Sequence, residues 1–265
     1  MTVMRFTSCQ APIAEYFMQA VTDYVGQRLG LDTRLVNDIN WPERARQFDT
    51  GQIDVCWLCG VPYVWRADQP APTMELLAAP VMAAPRYQDC PIYFSDVVVR
   101  HDSAYQSLAD LRGATWAINE RASQSGYFIT RYHLALLGER TGFFGRVIES
   151  GAHQASLELI LNSQIDASAI DSTVLELLVE RDPALRQQLR TVAVFGPSPI
   201  PPWVINTSVP PELRAALRDT LIQMHTDPTG QAILHSGQTA RFAAVQDHDY
   251  DLIRQMLRLG QTVTL

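Results

Sequence analysis

Short apolar runs alternate with segments of helical apolar spacing along nearly the whole chain, and this alternation restricts the fold more than any other feature of the sequence. Val3 to Ser8 reads as a strand, Ala14 to Leu29 as a helix halted at Gly30, Thr33 to Val36 as a strand, Pro42 to Asp49 as a short helix and Ile53 to Leu58 as a third strand. Glu75 to Met82 and Ile92 to Arg100 are further apolar runs, the second long enough to cross between two lobes. A second alternation follows: strands at Ala114 to Ile118, Arg146 to Glu149 and Asp166 to Ile170, and helices at Ser125 to Leu137, His153 to Leu161 and Ser172 to Arg181. Thr191 to Phe195 reads as a strand returning to the first lobe, and the proline-dense run 196–202 as a hinge or cleft rim that halts its neighbours. Trp203 to Asn206 is then a short strand, followed by helices at Pro211 to His225, Gly230 to Ser236 and Tyr250 to Leu259. The pattern predicts an α/β chain in two lobes, residues 1–93 with 196–265 forming one and 94–195 the other. In open sheets of this kind ligands sit at the carboxyl ends of strands, so the loops that follow strands are the places to search.

Composition narrows the chemistry. With 265 residues, 47% of them hydrophobic, the chain can bury substantial cores. Its formal charge of -7 and lack of a dense basic run argue against a nucleic-acid partner. All 21 basic residues are arginine. Without lysine there is no Schiff base, no pyridoxal phosphate anchor and no P-loop. The common glycine-rich nucleotide, nucleophile-elbow and zinc-protease signatures are missing too, which favours binding over catalysis, with neither cofactor nor metal. No apolar stretch reaches the length of about 18 residues needed to enter a membrane. The first residues run directly into a strand, so the expectation is a cytoplasmic chain or one whose leader has been removed.

Three strand-to-helix junctions carry candidate chemistry. Ser123-Gln124-Ser125-Gly126 offers two hydroxyl donors and a helix start, where dipole and unpaired N–H groups suit an anion; a plain cap is the alternative. His153, in Gly151-Ala152-His153-Gln154-Ala155-Ser156, occupies the matching place one unit later, as an oxyanion donor or as a capping or core histidine. Asp171 is either an acceptor for a ligand or for His153, or the cap of the following helix. Trp41 and Tyr93 add ring walls at loop positions, whereas Tyr63 reads as core. The acids around His248 read as a capping segment rather than a metal site. Cys9, Cys56, Cys59 and Cys90 include a lone C-x-x-C, but no second ligand pair accompanies it, so they read as buried thiols, with redox or metal chemistry the alternative.

Taken together, these segments resemble the substrate-binding proteins of phosphonate, phosphite and phosphate ABC transporters, a branch of the type II periplasmic binding fold. The resemblance runs through 51–55 to Tyr63, 93–99, 123–127, 151–156, 166–172 and 198–202. It implies a two-lobed fold with a ligand cleft between the lobes and an ABC permease as partner, with export if a leader is present. It also implies that Ser123, Ser125 and His153 hold the oxygens of a small anion while Trp41 and Tyr93 close over the rest. Gln124 stands where the family has Thr or Asn and is expected to narrow the pocket. Family members that bind aminoalkyl phosphonates use paired carboxylates; Asp171 is the single acid expected nearby, which argues against an ammonium-bearing ligand. A cytoplasmic sensor, or an enzyme on the same fold using His153 and a cysteine, is the alternative reading.

Overall fold

The computed structural model describes residues 3–265; Met1 and Thr2 lie outside it. In chain order the elements are β1 (Met4–Ser8), α1 (Glu15–Leu29), β2 (Thr33–Leu35), α2 (Trp41–Asp49), β3 (Val55–Trp57), α3 (Gly60–Ala67), β4 (Met74–Met82), β5 (Ile92–Arg100) and β6 (Thr115–Ile118). Then come α4 (Ile129–Leu136), β7 (Arg146–Glu149), α5 (His153–Leu161), β8 (Ala167–Asp171), α6 (Ser172–Arg181), the single turn α7 (Leu185–Gln188), β9 (Leu189–Pro199) and β10 (Trp203–Asn206). The chain closes with α8 (Pro211–Gln223), α9 (Pro228–Ser236), β11 (Thr239–Ala243) and α10 (Asp251–Gly260).

The chain divides into two compact units, one made of residues up to Ile92 with Pro199–Tyr250, the other of Tyr93–Ser198 with Asp251–Leu265. The first unit holds a six-stranded sheet in the order β11-β4-β10-β3-β1-β2. Its strands β1, β2 and β3 run parallel, with Phe6 beside Leu35 and Val55. Sequence dictates the local boundaries. α1 ends because Gly30 takes a left-handed φ of 64°, which ends the helix at no steric cost. α2 starts because the Asn40 side chain accepts the Glu43 N–H at 3.0 Å. Phe6, Phe17, Val21, Trp203 and Phe242 fill the core against the sheet, where Trp57 and Trp203 stack at 5.6 Å between centroids.

The second unit holds five strands in the order β7-β6-β8-β5-β9. Both faces of this sheet are covered, one by Val97, Trp116, Ile129 and Phe144, the other by Val98, Ala117, Leu157 and Ile170. Val97, Val98 and Val99 of β5 are apolar in succession because the strand is buried on two sides.

Several boundaries differ from the sequence expectation. The proline-dense segment does not halt its neighbour: β9 runs to Pro199, through a cis Gly196–Pro197 bond, and stays in the second unit as far as Ser198. An edge strand tolerates proline because it pairs on one side only, and β9 is the edge of its sheet. The helix expected from Ser125 begins as a π turn over Gln124–Phe128 before α4 takes over. The sequence pattern offers no strand at β11, which pairs irregularly with β4, with a register shift between Thr239 and Arg241. The sequence pattern places the last fifteen residues with the first lobe, yet 251–265 belong with the second unit, since Met256 and Val263 pack into its core.

Candidate functional site

Parallel pairing gathers the candidates of the second unit at one sheet edge. β6 lies parallel to β7, with Ile118 beside Glu149, and parallel to β8, with Ala117 beside Ser168. All three strands therefore release the chain in the same direction. β5 runs antiparallel to β8 with Ser95 opposite Asp171, which puts Tyr93, two residues before Ser95, at that edge as well.

The loop after β6 is held tightly. The Ser123 Oγ accepts the Gly126 N–H at 3.0 Å, so Ser123 is the cap of the π turn. Gly126 has no room for a side chain: a Cβ there would lie 1.9 Å from the Asn119 Oδ1. Ser125 is thereby carried inward, its Oγ 3.4 Å from the Ser123 Oγ and 2.9 Å from the His153 Nε2. His153 is the first residue of α5, whose cap Ala152 supplies no side-chain acceptor for the N–H groups of the first turn. The three side chains are almost entirely enclosed, at 3%, 3% and 6% exposure.

Burial holds the imidazole of His153 down to about 4, well below its ordinary value, so the ring is neutral at pH 7. Its Nδ1 is buried and without a partner among the described residues. A neutral ring between a hydroxyl and an uncapped helix start is poised to answer an arriving anion. The negative charge would favour the protonated ring and offset the desolvation that keeps it neutral. Two hydroxyls, a ring N–H and the positive end of α5 are groups whose chemistry suits an oxyanion.

The other expected residues divide. Asp171 acts as the cap of α6, accepting from the Thr173 N–H at 2.9 Å and the Thr173 Oγ–H at 2.7 Å. Desolvation pushes its carboxyl up to about 6 despite these donors, and Asp96 on β5 adds to the rise. Asp171 is thus not the sole acid at this edge; Asp96, 3% exposed, is a second. Gln124 does not reach toward the serines: it is fully buried, and its Nε2 meets the Met256 sulfur of α10 at 3.0 Å. The expected narrowing by Gln124 is therefore replaced by an anchor between the π turn and α10. Tyr93 is 1% exposed, in β5.

Trp41 belongs to the first unit, half-buried as the first residue of α2, with the Arg44 guanidinium 5.8 Å from its ring centroid. Arg44 also donates to the Ser8 carbonyl at 2.9 Å. Ser8, Gln10, Glu15, Asn37 and Arg44 line a shallow depression at the carboxyl ends of β1 and β2. Neither Arg44 nor Asn119 was singled out from sequence. The three-residue spacing from Trp41 to Arg44, one helical turn, is the signal that would have found the first. Tyr63 is buried in α3 and donates to Asp247 at 2.8 Å, and Asp249 accepts the Gln246 N–H at 2.7 Å, so the segment around His248 is structural. No cluster of metal-ligating side chains occurs among the described residues.

Cysteine placement departs from expectation. Only Cys56 is fully buried; Cys9 and Cys59 are partly exposed and Cys90 is exposed. Strand alternation is the reason. Cys56 lies inside β3 between β1 and β10, whereas Cys59 has already left the strand and caps α3.

A two-unit α/β chain with parallel strands that deliver hydroxyls, an imidazole and helix starts to one edge is a solute-binding protein of the type II periplasmic-binding class. The match to known proteins makes this specific. The chain belongs to the family of periplasmic phosphonate substrate-binding proteins of ABC transporters, whose model matches residues 7–250.

Solved structures repeat the fold. A binding component of an ABC phosphonate transporter from Pseudomonas aeruginosa is similar at a TM-score of 0.84 and 20% identity, over 98% of this chain and 86% of that one. PhnD1 from Prochlorococcus marinus, solved with methylphosphonate, gives 0.83 and 18%, over 98% and 99%. A Xanthomonas citri protein solved with ATP gives 0.73 and 17%, over 98% of each chain. The family's members are the substrate-binding components of ABC transporters. No helix among the described residues is long and apolar enough to cross a membrane.

Proposed function

We propose that this protein binds a small phosphorus oxyanion, a phosphonate or phosphite, through Ser123, Ser125 and His153. The observation that carries this reading is the convergence of the two hydroxyls and the buried, neutral imidazole at the starts of the π turn and α5. Family membership and the methylphosphonate held by PhnD1 support it. The receptor is small. The Ser125 Oγ lies 3.4 Å from the Ser123 Oγ and 2.9 Å from the His153 Nε2, a spacing that suits the oxygens of one tetrahedral group.

Asp171 and Asp96 bear on the ligand's other substituent. Asp171 spends one oxygen on Thr173 as the cap of α6, which leaves it less available to hold an ammonium. A ligand without an amino group therefore fits this edge better. The alternative of an enzyme on this fold cannot use Cys56: its thiol is enclosed in the sheet, where burial pushes it far above its ordinary value.

Isothermal titration against methylphosphonate, phosphite, phosphate, 2-aminoethylphosphonate, ATP and sulfate tests the reading. Tight binding of methylphosphonate or phosphite, weakened in Ser125→Ala, is expected. Heat from none of the phosphorus oxyanions, or from sulfate alone, would overturn it.

A further inference from the structure

The first unit carries a pair of thiols that the ligand reading does not use. β1 and β3 are parallel neighbours with Ser8 beside Trp57, so the residues that follow them, Cys9 and Cys59, emerge together at the carboxyl edge of the sheet. The Cys59 backbone N–H donates to the Cys9 sulfur at 2.9 Å, and the Cys9 backbone N–H donates to the Trp57 carbonyl at 3.2 Å. A contact this short between one residue's backbone and the other's sulfur keeps the two Cα atoms within about 7 Å, the outer limit of what a disulfide spans. Both residues are partly exposed. A donor aimed at the Cys9 sulfur suits the thiolate, which is the nucleophile in disulfide exchange.

The C-x-x-C spacing points elsewhere. Cys56 lies one register step earlier, inside β3, flanked by Thr7 on β1 and Val204 on β10 and fully enclosed. Two cysteines close in sequence are thus separated by strand and cap, while two separated by fifty positions are neighbours.

We propose that Cys9 and Cys59 are a redox couple that closes to an intramolecular disulfide in a thiol-oxidising environment, with Cys56 excluded. With a small disulfide as oxidant, the Cys9 thiolate attacks one of its sulfurs, forming a mixed disulfide and releasing one thiolate. Cys59, as thiolate, then attacks the Cys9 sulfur and releases the second. The two cysteines are oxidised by two electrons and lose two protons; the reagent is reduced to two thiols that take them up. The bond ties β1 to β3 beside Ser8 and Gln10, two residues of the depression that Arg44 lines.

Incubation of the whole protein with oxidised glutathione, alkylation of remaining thiols and non-reducing peptide mapping tests this. Cys56 and Cys59 share the tryptic peptide 47–66 and Cys9 lies on 6–28, so fragment spectra are needed to place the bond. The expected product is a cross-link from Cys9 to Cys59 with the loss of two hydrogens and with Cys56 alkylated only after unfolding. Cys90→Ser should form the same link, and Cys59→Ser should stop at a glutathione adduct on Cys9. A Cys56–Cys59 link, or separate glutathione adducts on Cys9 and Cys59 in the wild type, would overturn the proposal. The readout does not depend on ligand binding, so it stands or falls apart from the oxyanion reading.

Discussion

The two units use the same construction to different ends. In each, parallel strands bring helix starts to one edge of a sheet. The edge of the second unit presents hydroxyls and a neutral ring, fully enclosed, while that of the first presents Trp41, Arg44, Glu15 and a thiol pair around an open depression. Their supports differ as well. Arg44 is tied to Ser8 only 36 positions away, whereas the serine loop is held through Gln124 to Met256, 132 positions on. Topology supplies the edges; the residues at the loop tips supply the chemistry.

Cutting the long-range support should do the most damage. Met256 is 1% exposed in the second unit's core, and Met256→Ala should cost about 3 kcal/mol in urea unfolding, with loss of ordered binding at the serine loop. An equal cost with unchanged affinity would show that α10 stabilises the unit without positioning the loop.

Acid exposes the second contrast. His153 is held at about 4 in the folded chain, below its unfolded value, so its contribution to stability is present above pH 6.5 and lost as pH falls through 4. Asp171, raised to about 6, works the other way: its contribution is present below its ordinary range near 3.8 and lost as pH rises through 6. His153→Gln should therefore spare the second unit an acid penalty on the order of 3 kcal/mol between pH 7 and 4. Thermal melts of both proteins across that window would show it, and parallel slopes would refute it.

Smaller effects separate the edges by ligand. Ser125→Ala should weaken methylphosphonate binding by about 2 kcal/mol, roughly thirtyfold in Kd, through the loss of one charge-assisted hydrogen bond. An unchanged Kd in Ser125→Ala would erase the distinction between the donor edge of the second unit and the edge of the first.

Much of this protein is dictated locally. Apolar periodicity marks β5, β6, α5 and α10, Gly30 marks the stop of α1, and the Ser-x-Ser-Gly and His153 junctions are visible because caps and helix starts depend on a few adjacent residues. The tertiary structure alone decided the rest. α10 joins the second unit because its apolar face finds Ile129 and Trp116 in that core, and Gln124 turns inward because Met256 awaits it. Cys59 meets Cys9 rather than Cys56 because strand pairing overrides sequence spacing. Periodicity records which face of an element is buried; it carries no record of which distant element will bury it, and that choice belongs to packing.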